Sequence, residues 1–185
     1  MTEPGVAALG LVAVIGLGNV LMGDDALGPY AVRVLQAAFE FPPGVSVTDA
    51  GTPGLDLTPY ILGVEALIVI DTVKSDAPPG TLRLYRKDEL LAKPPAQRLS
   101  PHDPGLKETL LLLDFRGDAP RDVLLVGVVP EHVGKAVRLS AAVAAALPAV
   151  ERAVLDELER LGCPARRAAA PAVPDIWWEK PADAV

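Results

Sequence analysis

Apolar residues run without a charged interruption through residues 11–17, and then the period of the pattern changes. A run that does not alternate predicts a strand buried on both faces. Leu27, Tyr30, Ala31, Val34, Leu35 and Ala38 follow at helical spacing, which predicts an amphipathic helix starting just after Asp25. Pro42-Pro43-Gly44 breaks the chain, and residues 45–49 read as a short second strand. Gly51-Thr52-Pro53-Gly54 signals a loop, followed by a short helix near residues 55–62. Residues 66–70 are again wholly apolar and predict a third strand, which ends at Asp71.

In the second half, Leu82 and Leu84 alternate with Arg83, the pattern of an edge strand over 81–85. A helical turn is expected at 88–91. Asp103-Pro104 is a good opening for a helix whose buried face carries Leu106, Leu110 and Leu113. Residues 122–129 form the last clear strand. Residues 140–147 suggest a helical turn, and Pro148 opens a longer helix bearing Val150, Val154, Leu158 and Leu161. Residues 162–185 are rich in Pro and Ala and show no core periodicity. The expected organisation is a single α/β domain over residues 1–161 and an irregular tail over 162–185. Strands alternating with helices predict a three-layer α/β/α sandwich around a mostly parallel, twisted sheet of about five strands.

Composition narrows the function classes. The 185 residues carry a formal net charge of −7, which argues against nucleic acid or an anionic membrane surface as partner. Half the residues are hydrophobic and few are aromatic, so the core is built from Ala, Val, Leu and Ile. The lone Cys163 excludes an internal disulfide and a Cys-rich zinc site, and reads as a small packing residue. No Lys or Arg precedes Arg33, and Glu3 stands where a signal peptide needs positive charge. Glycines interrupt the apolar start well short of a membrane span. A cytoplasmic protein is expected.

The chemistry concentrates where strands open into loops. Gly16-x-Gly18 begins like a dinucleotide-binding fingerprint, but Leu21 occupies the third glycine position. Asp24 and Asp25 would also repel a pyrophosphate at the helix N-terminus. Paired carboxylates there ask instead for a cation. One of the two is expected to cap the helix, leaving the other free. Asp71 ends the third strand, and His102 lies just before a helix. If the second strand folds to the far side of the first, Asp25 and Asp71 face each other across a topological switch point. His102 then completes two carboxylates and one imidazole, a donor set suited to Ni²⁺, Zn²⁺, Co²⁺ or Fe²⁺. Each has a plainer reading: Asp71 closing a turn, His102 lying at the surface. His132 reads as a loop residue. With no G-x-S-x-G or H-E-x-x-H pattern, a hydrolase built on this chain needs a metal to activate water.

These residues resemble the hydrogenase maturation endopeptidases, which trim the nickel-containing large subunit of [NiFe] hydrogenases. The resemblance covers about residues 11–161 and rests on four segments. Gly16-x-Gly18-Asn19-x-Leu21-x-x-Asp24-Asp25-x-x-Gly28 is similar to the family's opening signature, with Ala26 where a glycine is frequent. Asp49-Ala50-Gly51-Thr52-Pro53-Gly54, Asp71 after an apolar strand, and Ser100-Pro101-His102 resemble the next three. The resemblance implies that Asp25, Asp71 and His102 bind the metal and carry catalysis. It further implies Ni²⁺ supplied by the substrate, with the immature large subunit as partner and removal of that subunit's C-terminal extension as activity. Two other readings use the same residues: a nickel-dependent checkpoint or chaperone that does not cut, and a stand-alone metallohydrolase.

Overall fold

The structure is a computed structural model that describes residues 11–53, 57–92 and 103–180. Its centre is a five-stranded sheet. The strands are β1 (Val12–Leu17), β3 (Val45–Gly51), β4 (Ala66–Thr72), β5 (Leu82–Arg86) and β6 (Asp122–Val128), and β2 (Phe39–Glu40) stands apart from them. Their order is β3-β1-β4-β6-β5. The first four are mutually parallel, and β5 closes the β6 edge in antiparallel sense. β1 and β4 are buried at every position, as their unbroken apolar runs require. β5 is nowhere fully buried, as suits an edge strand. The expected alternation of Leu82 and Leu84 against Arg83 does not hold, because Leu84 is exposed along with Arg83.

Because neighbouring Cβ atoms point to opposite faces, each strand feeds two cores. On one face Val12, Val14, Ile68, Ile70, Leu124 and Val126 pack with α1 (Leu27–Ala38) and α5 (Ala141–Arg160). On the other, Ala13, Ile15, Leu67, Val69, Val123 and Leu125 meet side chains of α2 (Thr58–Ile61), α3 (Lys87–Ala92) and α4 (Asp103–Arg116). Leu106, Leu110 and Leu113 form the buried stripe of α4, as their spacing predicts. The three-layer α/β/α sandwich expected from the pattern is the observed architecture.

Two local expectations need correcting. Pro148 does not open a helix; it lies inside α5, which Ser140 caps by accepting the Val143 N–H. The Ala-rich stretch before Pro148 has high helix propensity and a buried face at Val143 and Ala146, so the helix starts a full two turns earlier. The helix predicted near residues 55–62 is only the four-residue α2, with residues 54–56 outside the described part. The segment after Gly162 is largely irregular, yet it lies along the domain. Its β7 (Arg166–Arg167) pairs with β2, and the Ala168 and Ala172 amides donate to the Ala38 and Ala37 carbonyls. Cys163 is buried in the first core, as a packing residue should be.

An ionic knot fastens β5 to α5. Glu157 is almost fully buried and accepts from the Arg86 Nη2 at 2.8 Å and the Arg160 Nε at 3.0 Å. Burial alone would raise its pKa, but the hydrogen bonds and charges of Arg160 and Arg86 prevail and bring it down to about 2.

Candidate active site

The switch point forms as predicted. β3 lies on one side of β1 and β4 on the other, so the C-terminal ends of β1 and β4 adjoin at the middle of the sheet. Gly16 is opposite Ile70 in the register, which sets Asp71 beside the strand-to-helix turn. That turn is a single 3-10 turn, Asp24–Ala26, and it packs against β4. Asp25 and Asp71 are therefore brought to one place at the sheet edge, and both are buried, at 5% and 1% exposure. His102 lies outside the described residues.

Local geometry explains the glycines. A Cβ on Gly28 would fall 2.2 Å from the Leu17 carbonyl oxygen and 2.6 Å from that of Ile70. The first turn of α1 thus rests directly on the ends of β1 and β4. Gly18 has a φ of +141° and passes so close to Asp25 that a Cβ there would overlap its carbonyl. The glycine pattern serves backbone-to-backbone contacts.

The two aspartates do different work. Asp25 Oδ2 accepts the Asn19 N–H at 2.9 Å, while the Asn19 Oδ1 accepts the Leu21 N–H at 3.0 Å, which shapes the loop between strand and turn. Asp24 accepts backbone N–H groups from Glu131, His132 and Ser140. Neither carboxylate caps the helix: α1 has Ala26 at its N-cap and no side-chain cap. The capping expectation fails because both carboxylates find backbone donors in other segments. Asp71 Oδ1 accepts its neighbour's amide, Thr72 N–H, at 2.7 Å.

The second motif also has a structural task. Asp49 Oδ1 accepts the Gly51 N–H at 3.0 Å, Gly51 turns with φ +59°, and the Gly51 carbonyl receives the Gly18 N–H at 2.9 Å. It thereby pins the glycine loop from the β3 side. The sequence marks this segment as a strand end, a loop and a family-like motif. Its task of holding the glycine loop follows from the Asp-x-Gly spacing, which is an Asx-turn signal.

The 129–140 segment after β6 frames the other side. It pairs with the site turn through Met22–Ala136 and Gly23–Val133 bridges. His132 is exposed there, as expected of a loop residue. The tail reaches the same place: Glu179 lies 3.9 Å from Arg138, and Trp178 packs edge-on against Tyr30 at 5.9 Å between ring centres. Burial and the neighbouring Glu179 raise the Tyr30 pKa. Among the described residues, no group of three or more His, Cys, Asp or Glu side chains converges as a metal cage.

The sequence profile of the HycI family of hydrogenase maturation proteases matches residues 29–157, more than half of the chain. The chain belongs to the hydrogenase maturation protease family. It is 32% identical to the hydrogenase 2 maturation protease of Escherichia coli over 164 residues, covering 88% of this chain and 95% of that protein. HoxM of Azotobacter vinelandii, a hydrogenase expression/formation protein, is 37% identical over 133 residues, covering 72% of this chain. The match spans only 61% of HoxM. Among solved structures, the hydrogenase maturating endopeptidase HybD of E. coli superposes with a TM-score of 0.78 at 31% identity, covering 86% of this chain and 98% of HybD. The maturation protease HybD of Thermococcus kodakarensis gives 0.65 at 27% identity, covering 80% of this chain and 98% of that one. No helix among the described residues is long and apolar enough to cross a membrane.

Proposed function

We propose that this chain is the endopeptidase that removes the C-terminal extension of a nickel-loaded [NiFe] hydrogenase large subunit. What supports the reading is that Asp25, in the turn after β1, and Asp71, at the end of β4, are both buried at the β1/β4 switch point of a chain in this protease family. In this reading Asp25, Asp71 and His102 receive the nickel that the precursor already holds, so the metal arrives as part of the substrate. Two carboxylates and an imidazole form a donor set suited to a borderline divalent ion, and three ligands leave positions for the precursor. Nickel seated there supplies Lewis acidity toward the scissile carbonyl. The buried carboxylates supply the negative field that attracts the cation and excludes anions. Hydrolysis adds water across one amide: the hydroxyl joins the carbonyl carbon, and the proton goes to the released amine. The reaction is expected in the cytoplasm.

The test is a mass-spectrometric processing assay with purified precursor, nickel-loaded and nickel-free. Loss of a C-terminal peptide from the loaded sample alone is the expected result. Binding without cleavage would make the protein a checkpoint. Cleavage of generic peptides by the metal-loaded chain alone would make it a stand-alone metallohydrolase.

A further inference from the structure

Asp24 stands next to Asp25 yet has no part in the metal-binding trio. Its carboxylate is 1% exposed and accepts three backbone N–H groups of a single segment. Glu131 and His132 donate to Oδ2 at 2.8 and 2.9 Å, and Ser140 donates to Oδ1 at 2.7 Å. The donors lie at the two ends of the loop between β6 and α5, so one carboxylate fastens both. Charge-assisted bonds of this length are stronger than neutral ones. Removing the acceptor strands three amides at once.

The backbone reinforces the joint. The Gly23 N–H donates to Ala136 O at 2.8 Å, and the Asp24 N–H donates to His132 O at 3.0 Å. A Cβ on Gly23 would come within 2.9 Å of that His132 oxygen, so the two segments touch main chain to main chain. Asp25 is seated separately, through the Asn19 amide. Loss of the Asp24 carboxylate therefore loosens the loop before it displaces Asp25. Between the fastened ends the loop exposes Val133 and Val137, with Leu21 exposed on the facing segment.

We propose that Asp24 is a positioning residue that holds residues 131–140 as a fixed wall of the active site, against which the precursor polypeptide lies. The inference rests on the proteolytic reading above. A wall held in place beforehand spares the complex the entropy of ordering it, so the effect belongs to substrate affinity and not to bond cleavage.

The full-length chain and its Asp24→Asn variant would be compared by amide hydrogen exchange and by steady-state processing of nickel-loaded precursor. Exchange at Glu131, His132 and Ser140 is expected to accelerate about tenfold or more, with residues 123–128 unchanged. KM is expected to rise about tenfold, with kcat within about threefold. Unchanged exchange and KM would overturn the proposal, as would a fall in kcat at constant KM. Should Asp24→Asn fail to fold, Val133→Asp alters only an exposed loop side chain. A raised KM at an unchanged melting temperature supports the wall, and an unchanged KM refutes it. If the wild-type chain does not cut at all, the proteolytic reading falls and the recognition role falls with it. The exchange comparison then decides the fastening by itself.

Discussion

Gly16 and Gly28 meet main chain to main chain: a Cβ on Gly16 would lie 2.3 Å from the Gly28 carbonyl oxygen. Strand and helix are in contact without any side chain between them. The turn carrying Asp25 is the short link that makes this contact possible, and it ends where β4 delivers Asp71.

A methyl group at this joint has nowhere to go, because its neighbours are backbone atoms. Gly28→Ala is expected to destabilise the protein by about 3 kcal/mol or more, above the usual range for a single substitution. Gly51→Ala meets no atom within 4 Å and is strained only through its φ of +59°, so its cost should be about 1 kcal/mol. Chemical denaturation of both variants checks the ranking, and equal stabilities would refute the account of the joint.

Asp25→Asn and Asp71→Asn preserve volume and remove charge. Each is expected to reduce processing of nickel-loaded precursor at least about a hundredfold, with the thermal midpoint shifted by only a few degrees. His102→Ala should do the same. Processing at wild-type rates in both carboxylate variants would remove the trio from the reaction.

The acid limb of stability should report Glu157. Its folded pKa of about 2 lies below the 4.5 of an unperturbed glutamate, so its contribution is complete above pH 4.5. It is lost as pH falls through that window toward 2. The upper bound is about 3 kcal/mol, reduced by solvent screening of the half-exposed Arg86 and Arg160. Glu157→Gln should flatten the stability profile between pH 5 and 2, measured by denaturant titration at each pH. A profile as steep as that of the wild type would assign the acid sensitivity elsewhere.

Trp178 tests whether the tail is part of the fold. Buried against Tyr30 and Trp177, it should cost about 3 kcal/mol on replacement by alanine. Trp177 is half exposed, and its alanine variant should lose well under half as much. Melting temperatures of the two variants give the comparison, and an unshifted Trp178→Ala would show a tail that contributes no stability.

The parts legible in the sequence were those where one physical demand dominates. Short unbroken apolar runs bounded by loop signals fit strands buried on both faces better than helices, so β1 and β4 are readable to within a residue or two. Strand-end placement, together with the strand order, is enough to put Asp25 and Asp71 at one edge of the sheet. What escaped depends on partners distant in the chain. No local rule tells that Asp24 binds amides more than a hundred residues away, so a capping role looked sufficient. Pro148 misled for a related reason: a helix tolerates proline when the turns before it have a face to bury. Trp178 has no periodic neighbours, and only its contact with Tyr30 reveals its burial.

The glycine joint bears on how such a protein can change over time. Elsewhere in the core a leucine can be exchanged for a methionine or isoleucine while neighbours adjust. Where backbone rests on backbone there is no volume to trade, so the joint admits neither gradual drift nor partial repair. Variation must therefore accumulate in the surrounding loops, around a centre that stays the same.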